Sequence, residues 1–175
     1  MKAVFAILYL SLLVPAGLHC QDHFQLSGKE KKLVTGSFGK AAKAEPLPLH
    51  EPADALSGYL HPGDRIHLIK QERDTAGFLL STRAKGRFDY FDYCILFSTS
   101  LQVEEVVVTV YRSTHGAAIC RKSWLDQFAG YEGGGLELGK NIDAISGGTL
   151  SAASMVSDIR RCHEMMTCLR AQGTI

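Results

Sequence analysis

Small and hydroxyl-bearing residues are concentrated between positions 143 and 151, where the chain reads Asp-Ala-Ile-Ser-Gly-Gly-Thr-Leu-Ser. The hydroxyl groups belong to Ser146, Thr149 and Ser151, and Asp143 begins the stretch. A threonine or serine hydroxyl forms covalent bonds once a base or a metal activates it. Because glycine has no Cβ, other groups can also approach this backbone closely. The stretch is therefore the first candidate for a functional site.

An amphipathic helix follows this stretch. Apolar residues recur at steps of three or four, at Leu150, Ala153, Val156, Ile159, Cys162, Met166 and Leu169. They predict a helix over about 150–170, whose free N–H groups and dipole would attract a phosphate. Two interpretations stay open at this point. Either Thr149 or Ser151 caps the helix, which is the common role of such residues, or Thr149 is itself modified at a phosphate site.

Composition indicates an ordinary globular protein. The chain has 175 residues, 46% of them hydrophobic and 21% charged, which fits one domain plus a targeting segment. A formal net charge of +1 argues against a nucleic-acid partner, because such proteins carry a basic surface.

The first twenty residues resemble an export signal. Met1-Lys2 supplies one positive charge, and residues 3–18 are apolar except for Ser11. This run is short for a membrane span of about 20 residues, so we expect a signal peptide over 1–20, cleaved near residues 17–21. An uncleaved anchor and a lipidated Cys20 are the alternatives.

The remaining cysteines are Cys94, Cys120, Cys162 and Cys168. They include no CxxC or CxxCH motif, and no pair of them stands beside a histidine pair at zinc-ligand spacing. We therefore expect no metal site at these residues, and buried free thiols.

Residues 21–64 are weakly patterned, and Pro46, Pro48, Pro52 and Pro62 interrupt both helix and strand. We expect an extended N-terminal arm that packs on the domain, or a partly mobile leader, with a helix possible near 29–34.

From residue 65 the chain alternates between strand-like runs and turns. The runs are 65–71, 78–83, 88–98 and 103–111, separated first by predicted turns at 74–77 and 84–87, which indicates an antiparallel meander. Phe91, Tyr93, Ile95 and Phe97 would share the core face of the third strand. A short helix is expected over 121–128, with Trp124 in the core. The predicted class is α+β, with a domain over 65–175 whose short helix and long C-terminal helix pack on one face of the sheet.

Residues 143–151 resemble the flavinylation motif of FMN-binding domains, the extracytoplasmic domains of the Rnf and sodium-pumping NADH:quinone oxidoreductase complexes. The resemblance implies that a separate flavin transferase, using FAD, esterifies FMN through its phosphate to Thr149. Asp143 corresponds to the acidic residue that leads the motif. The cofactor-binding residues implied within the motif are Asp143, Ser146, Gly147, Gly148, Thr149, Leu150 and Ser151.

A second segment supports the same resemblance. The turn at Thr114, His115 and Gly116 occupies the place where the family has a glycine-containing turn against the flavin, and residues 124–128 are similar to the family's short helix. The resemblance spans roughly 65–160. Two features differ: Gly148 stands where the family usually has alanine, and the turn lacks the Pro-Gly and the second glycine of Rnf-type proteins.

The resemblance implies an exported, periplasmic or membrane-associated flavoprotein. It would carry electrons between a membrane or extracytoplasmic redox partner and another acceptor, without catalytic residues of its own. Two alternatives stay open: a flavin-dependent reductase of a small extracytoplasmic acceptor, and a binding module that keeps the fold without the cofactor.

Overall fold

A five-stranded antiparallel sheet forms the centre of the protein, as a computed structural model describes it for residues 25–48, 56 and 58–175. The strands follow one another in chain order across the sheet. Their bounds are β1 Lys43–Leu47, β2 Arg65–Gln71, β3 Asp74–Lys85, β4 Tyr90–Ser98 and β5 Val103–Val110. The predicted α+β meander is confirmed, with one further strand, β1, at its edge.

Alternation along β4 determines which face carries the main core. Phe91, Tyr93, Ile95 and Phe97 are each 1% exposed or less and lie in the larger hydrophobic cluster. Leu96, between two of them, lies in a smaller cluster on the other face. Because successive side chains of a strand point to opposite faces, the predicted division of this strand is confirmed.

Two helices, α2 (Lys122–Leu125) and α3 (Thr149–Ala171), cover the main core. A 3-10 turn over Asp126–Phe128 continues α2, and the Trp124 and Phe128 rings meet edge to face at 5.2 Å. Trp124 is therefore a core residue, as expected. The buried face of α3 presents Met155, Ile159, Cys162, Met166 and Leu169 to the sheet.

A further helix, α1 (Gly28–Phe38), covers the opposite face of the sheet. Ser27 and Glu30 form a capping box at its start, and Leu33 and Val34 pack on the smaller cluster. The helix that was possible near 29–34 is present, and residues after it form the edge strand β1, which pairs with β2. The predicted signal peptide and Cys20 lie outside the described residues, and the division into leader, arm and domain stays a prediction.

The turn predicted at 74–77 is wrong. Gln71 pairs with Asp74, so the reversal occurs at Glu72 and Arg73, and Glu72 has a positive φ of 55°. Gly77 lies within β3, where a Cβ would meet the Phe97 carbonyl oxygen at 2.6 Å and the Phe38 ring at 2.8 Å. Gly77 therefore permits the close approach of α1. The residues next to a glycine in the sequence do not show whether it makes a turn or admits another element.

The second turn lies two residues later than predicted. The β3 strand continues to Lys85, and the Gly86 N–H donates to the Asp89 carbonyl oxygen at 2.8 Å. Arg87 and Phe88 consequently form the tip of the β3–β4 hairpin.

The four cysteines of the described residues are free, but they are not all buried. Cys94 and Cys162 are buried, Cys168 is partly buried and Cys120 is exposed. Burial raises the pKa of the Cys94 thiol to about 12.

Among the described residues, no helix combines the length and the apolar character that crossing a bilayer requires.

Candidate functional site

Three loops meet at the start of α3. They are the tip of the β3–β4 hairpin, the segment that follows β5, and the turn that leads into α3. The small cavity between them has a volume of about 150 Å³. It is lined by Arg87, His115, Gly116, Gly147, Gly148, Thr149, Leu150 and Ser151.

A β-turn brings the chain into α3. The Gly148 N–H donates to the Ile145 carbonyl oxygen at 3.2 Å, and Gly147 has a φ of 73°. A positive φ at the third residue of a turn is characteristic of type II, where glycine is preferred. The glycine at 147 therefore sets the direction from which Thr149 enters the helix.

Two loops touch through the backbones of Gly148 and Gly116. A Cβ on Gly148 would lie 3.3 Å from the Gly116 Cα and 3.0 Å from the Ile145 Cγ2. A Cβ on Gly116, which has a φ of 78°, would lie 2.8 Å from the Tyr111 hydroxyl oxygen. Such distances are shorter than ordinary van der Waals contact. An alanine at 148 would therefore require Ile145 or the turn at 114–116 to shift by a few tenths of an ångström.

No side chain of the described residues caps α3. Gly148 occupies the N-cap position, and the Thr149 hydroxyl instead donates to the Ile145 carbonyl oxygen at 3.2 Å. Ser151 is 4% exposed, and its Oγ lies 3.4 Å from the Tyr111 hydroxyl oxygen. The N-cap interpretation is therefore wrong for both Thr149 and Ser151. Tertiary packing, rather than the helix end, holds the Ser151 hydroxyl.

The first N–H groups of α3 precede the helical hydrogen-bond ladder. The Ala152 N–H is the first to reach a helical carbonyl, that of Gly148, at 2.9 Å. The first turn contains no acidic residue, so the positive end of the helix dipole is not neutralised locally. Such an end favours a bound or attached anion.

Tyr111 holds two of the loops together. Its hydroxyl donates to the His115 carbonyl oxygen at 2.6 Å, and its ring lies 5.8 Å from that of Phe91 in the core. The Tyr111 side chain thereby fixes the turn at 114–116 against the start of α3.

The hairpin tip contributes residues that sequence reasoning missed. Gly86 packs on α3, since a Cβ there would lie 3.2 Å from the Ser151 Oγ. This contact places Arg87 in the wall of the cavity, with its guanidinium 5.1 Å from the centre of the Phe88 ring. The Phe88 ring in turn lies 5.9 Å from that of His115. The sequence contains Gly86-Arg87-Phe88 at a predicted turn. Only the folded sheet shows that this turn lies against α3.

The exposed surface around the cavity is partly apolar. Phe88 is 68% exposed and Leu150 is 61% exposed. Leu150 thus adds exposed apolar surface to the cavity wall, and Phe88 does so at the hairpin tip.

Three predicted site residues lie beside the cavity rather than in its wall. The Asp143 carbonyl oxygen accepts from the Trp124 Nε1 at 2.8 Å, and its exposed carboxylate makes no contact with the cavity. Ser146 is exposed on the turn. The Thr114 hydroxyl lies 3.1 Å from the His115 Nδ1. Any cofactor contact by these three residues stays a prediction.

Solved structures match this chain, whereas family models and curated proteins do not. No protein-family model matches the sequence, and no curated protein matches it significantly. Among solved structures, the crystal structure of NqrC from Shewanella oneidensis matches with a TM-score of 0.47 and 14% sequence identity. The match covers 79% of this chain and 82% of that chain. We therefore argue function from the geometry of the site.

Proposed function

We propose that this protein is an exported flavoprotein that carries electrons, with FMN esterified through its phosphate to Thr149 by a separate flavin transferase. The observation that carries the proposal is the exposed Thr149 hydroxyl at the uncapped start of α3, in a cavity with the Arg87 guanidinium.

The chemistry of the cavity fits a phosphate ester. A phosphodiester keeps one negative charge, which the N–H groups at the start of α3 and the dipole of that helix stabilise. Arg87 adds a cation whose planar guanidinium suits phosphate oxygens. Gly147 has no other group within 4 Å of the position where its Cβ would stand. Thr149 and Arg87 line the same cavity, so a phosphate on Thr149 would lie in a cavity with a cation in its wall.

The surroundings also suit an aromatic ring system. Leu150 and His115 line the cavity, Leu150 is exposed, and the exposed Phe88 ring lies 5.9 Å from the His115 ring. When bound, FMN supplies the redox chemistry, and the protein supplies position and electrostatics. In this proposal Phe88, Leu150 and His115 hold the flavin ring, and Arg87 holds the phosphate.

Thr149 needs outside help to become a nucleophile. Its hydroxyl donates to the Ile145 carbonyl oxygen, which is too weak a base to remove the proton. A threonine hydroxyl without a neighbouring base or metal is a poor nucleophile. A transferase that supplies this activation fits the site better than self-modification, and the exposure of Ser146, Gly147 and Thr149 gives such an enzyme access.

Attachment also suits the proposed location outside the cytoplasm. Occupancy of a reversible site falls with the concentration of free cofactor, whereas an ester survives dilution. A membrane or extracytoplasmic redox partner would then exchange electrons with the flavin at the exposed cavity.

The test is the intact mass of protein co-produced with an active flavin transferase. We expect the wild type to gain the mass of one esterified FMN, Thr149→Ala to gain none, and the control Thr174→Ala, which changes an exposed threonine outside the motif, to gain it normally. Flavin on Thr149→Ala would contradict the assignment. Colourless wild-type protein of unmodified mass would support the cofactor-less binding module instead.

A further inference from the structure

A second and larger cavity lies along α3, on the other side of the contact between Gly86 and Ser151. Its volume is about 860 Å³, within the range of roughly 300–1,000 Å³ that is usual for small-molecule sites. The end of β3, the start of β4 and the α3 residues Ser154 and Ser157 form its walls. Ser154 is five residues beyond Thr149, roughly 8 Å along the helix axis.

The charged side chains of the inner wall of this cavity bond one another and their neighbours. Asp158 Oδ2 accepts from the Tyr93 hydroxyl at 2.6 Å, and its Oδ1 accepts from Arg161 Nε at the same distance. Arg161 also donates to Asp64 Oδ2 at 2.8 Å and to the Thr82 hydroxyl at 3.0 Å. The Asp158 carboxylate is therefore paired with Arg161, a cation that it shares with Asp64, and the His61 Nδ1 lies 3.8 Å from its Oδ1.

The outer wall carries cations that are much less engaged. Arg83 is 52% exposed, with its Nε 3.7 Å from Asp92 Oδ1, while Arg112 holds the other Asp92 oxygen at 2.6 Å. Lys85 is exposed, and its side chain makes no ion pair within the described part of the chain. Arg83 and Lys85 thus place two exposed cations on the wall of this cavity, which favours an anionic ligand.

The same cavity offers an apolar surface beside these cations. Tyr90 is 48% exposed, and Pro62 and Ala84 contribute further carbon atoms to the wall. Tyr90 is held in place from behind, because Arg112 donates to its carbonyl oxygen at 3.0 Å. An aromatic face next to cations suits a ligand with a negative end and an apolar body.

We propose that this cavity binds a small organic anion, a carboxylate attached to an aromatic or alicyclic body. Arg83 and Lys85 bind the carboxylate, the body packs on Tyr90, and the Ser154 and Ser157 hydroxyls serve polar substituents. The site does not require a flavin at Thr149. If the flavin is present, the ligand lies on the adjacent stretch of α3.

The test uses benzoate as the probe and amide chemical shifts of the purified protein as the readout. Benzoate should cause saturable shifts at residues 83–90 and 154–161, in the wild type and equally in Thr149→Ala. Benzyl alcohol, which has the ring without the charge, should bind at least tenfold more weakly. Raising the salt concentration should weaken benzoate binding, because exposed cations are screened.

The variant Arg83→Gln/Lys85→Gln should bind benzoate at least tenfold more weakly than the wild type. The control Lys40→Gln/Lys43→Gln removes two exposed cations from another part of the surface and should bind it normally. Equal affinity of the wild type and the Arg83→Gln/Lys85→Gln variant would overturn the proposal. So would equal affinity for benzyl alcohol, or shifts that do not saturate at millimolar benzoate. Failure of flavinylation at Thr149 would leave these results unchanged.

Discussion

Two parts of the same helix treat polar groups in opposite ways. At the first turn of α3, the Thr149 hydroxyl is exposed and no side chain of the described residues caps the helix. Two turns later, Asp158 and Arg161 are held in a network in which each bonds several buried partners. At the first turn, N–H groups and a hydroxyl face the surface, whereas the polar atoms of Asp158 and Arg161 bond other residues of the protein.

Burial explains the difference. An unpaired charge away from water costs several kcal/mol, so the Asp158–Arg161 region must be satisfied for the domain to fold. Burial also raises the pKa of the Tyr93 phenol well above its usual value, with Cys162 and Asp158 adding to the effect, so Tyr93 stays a donor. The first turn is solvated and has no such constraint. Its chemistry is free to serve a ligand, and changes there should affect function more than folding.

The largest effect is expected from Arg161→Ala. It would leave Asp158 and Asp64 as buried carboxylates without their cation, which costs about 3–5 kcal/mol. Chemical denaturation would measure the loss in free energy of unfolding. The control is Arg160→Ala, an exposed neighbour for which we expect a change within about 0.5 kcal/mol. If both variants lost equally little unfolding free energy, the network around Asp158 and Arg161 would not be stabilising the fold.

A smaller effect on stability is expected from Gly116→Ala, in the turn beside the start of α3. The new Cβ would meet the Tyr111 hydroxyl at 2.8 Å in a backbone with a φ of 78°. We expect a loss of about 2–3 kcal/mol from strain and displaced loops. Gly130→Ala has a similar φ of 86° with open space around it, so it should lose only about 1 kcal/mol. Equal losses in thermal or chemical unfolding would show that the contact between the loops contributes nothing.

A third prediction concerns pH and the buried carboxylate on the opposite face of the sheet. Burial alone would raise the pKa of Glu30. Hydrogen bonds from Ser81 and Ser27 and the Arg65 charge outweigh burial and hold this pKa below its usual value of 4.5. The contribution of the Glu30 carboxylate to the free energy of unfolding is thus fully present above pH 4.5. It is lost as the pH falls through the lower pKa of the folded state.

Denaturation of the wild type and Glu30→Gln at several acidic pH values would test this prediction. The difference in unfolding free energy between them should shrink as the pH falls below 4.5. Glu45→Gln, on the exposed edge strand, is the matched control. A difference between wild type and Glu30→Gln that stays constant with pH would contradict the prediction.

The smallest effect on stability is expected from Thr149→Ala. The exposed hydroxyl bonds one carbonyl at 3.2 Å, so its loss should change the unfolding free energy by less than about 0.5 kcal/mol. A capping threonine would cost about 1 kcal/mol or more. A large loss would therefore assign Thr149 to structure and weaken the contrast between the two ends of α3.

The periodic spacing of apolar residues in the sequence predicted much of the fold. The bounds of β2, the inward-facing residues of β4 and the extent of α3 follow from the spacing of apolar side chains. These patterns are readable because a strand or a helix repeats its geometry at every residue. The stretch at 143–151 was recognisable as a loop entering a helix for the same reason.

Contacts between distant segments needed the tertiary structure. Whether Gly77 makes a turn or admits the Phe38 ring depends on α1, almost forty residues away in the chain. Arg87 joins the cavity because Gly86 packs on Ser151, and Ser151 is buried because it faces Tyr111. The residue types made a phosphate at Thr149 conceivable. The three-dimensional packing decided which side chains surround that hydroxyl, since long-range contacts leave no periodic trace in the sequence.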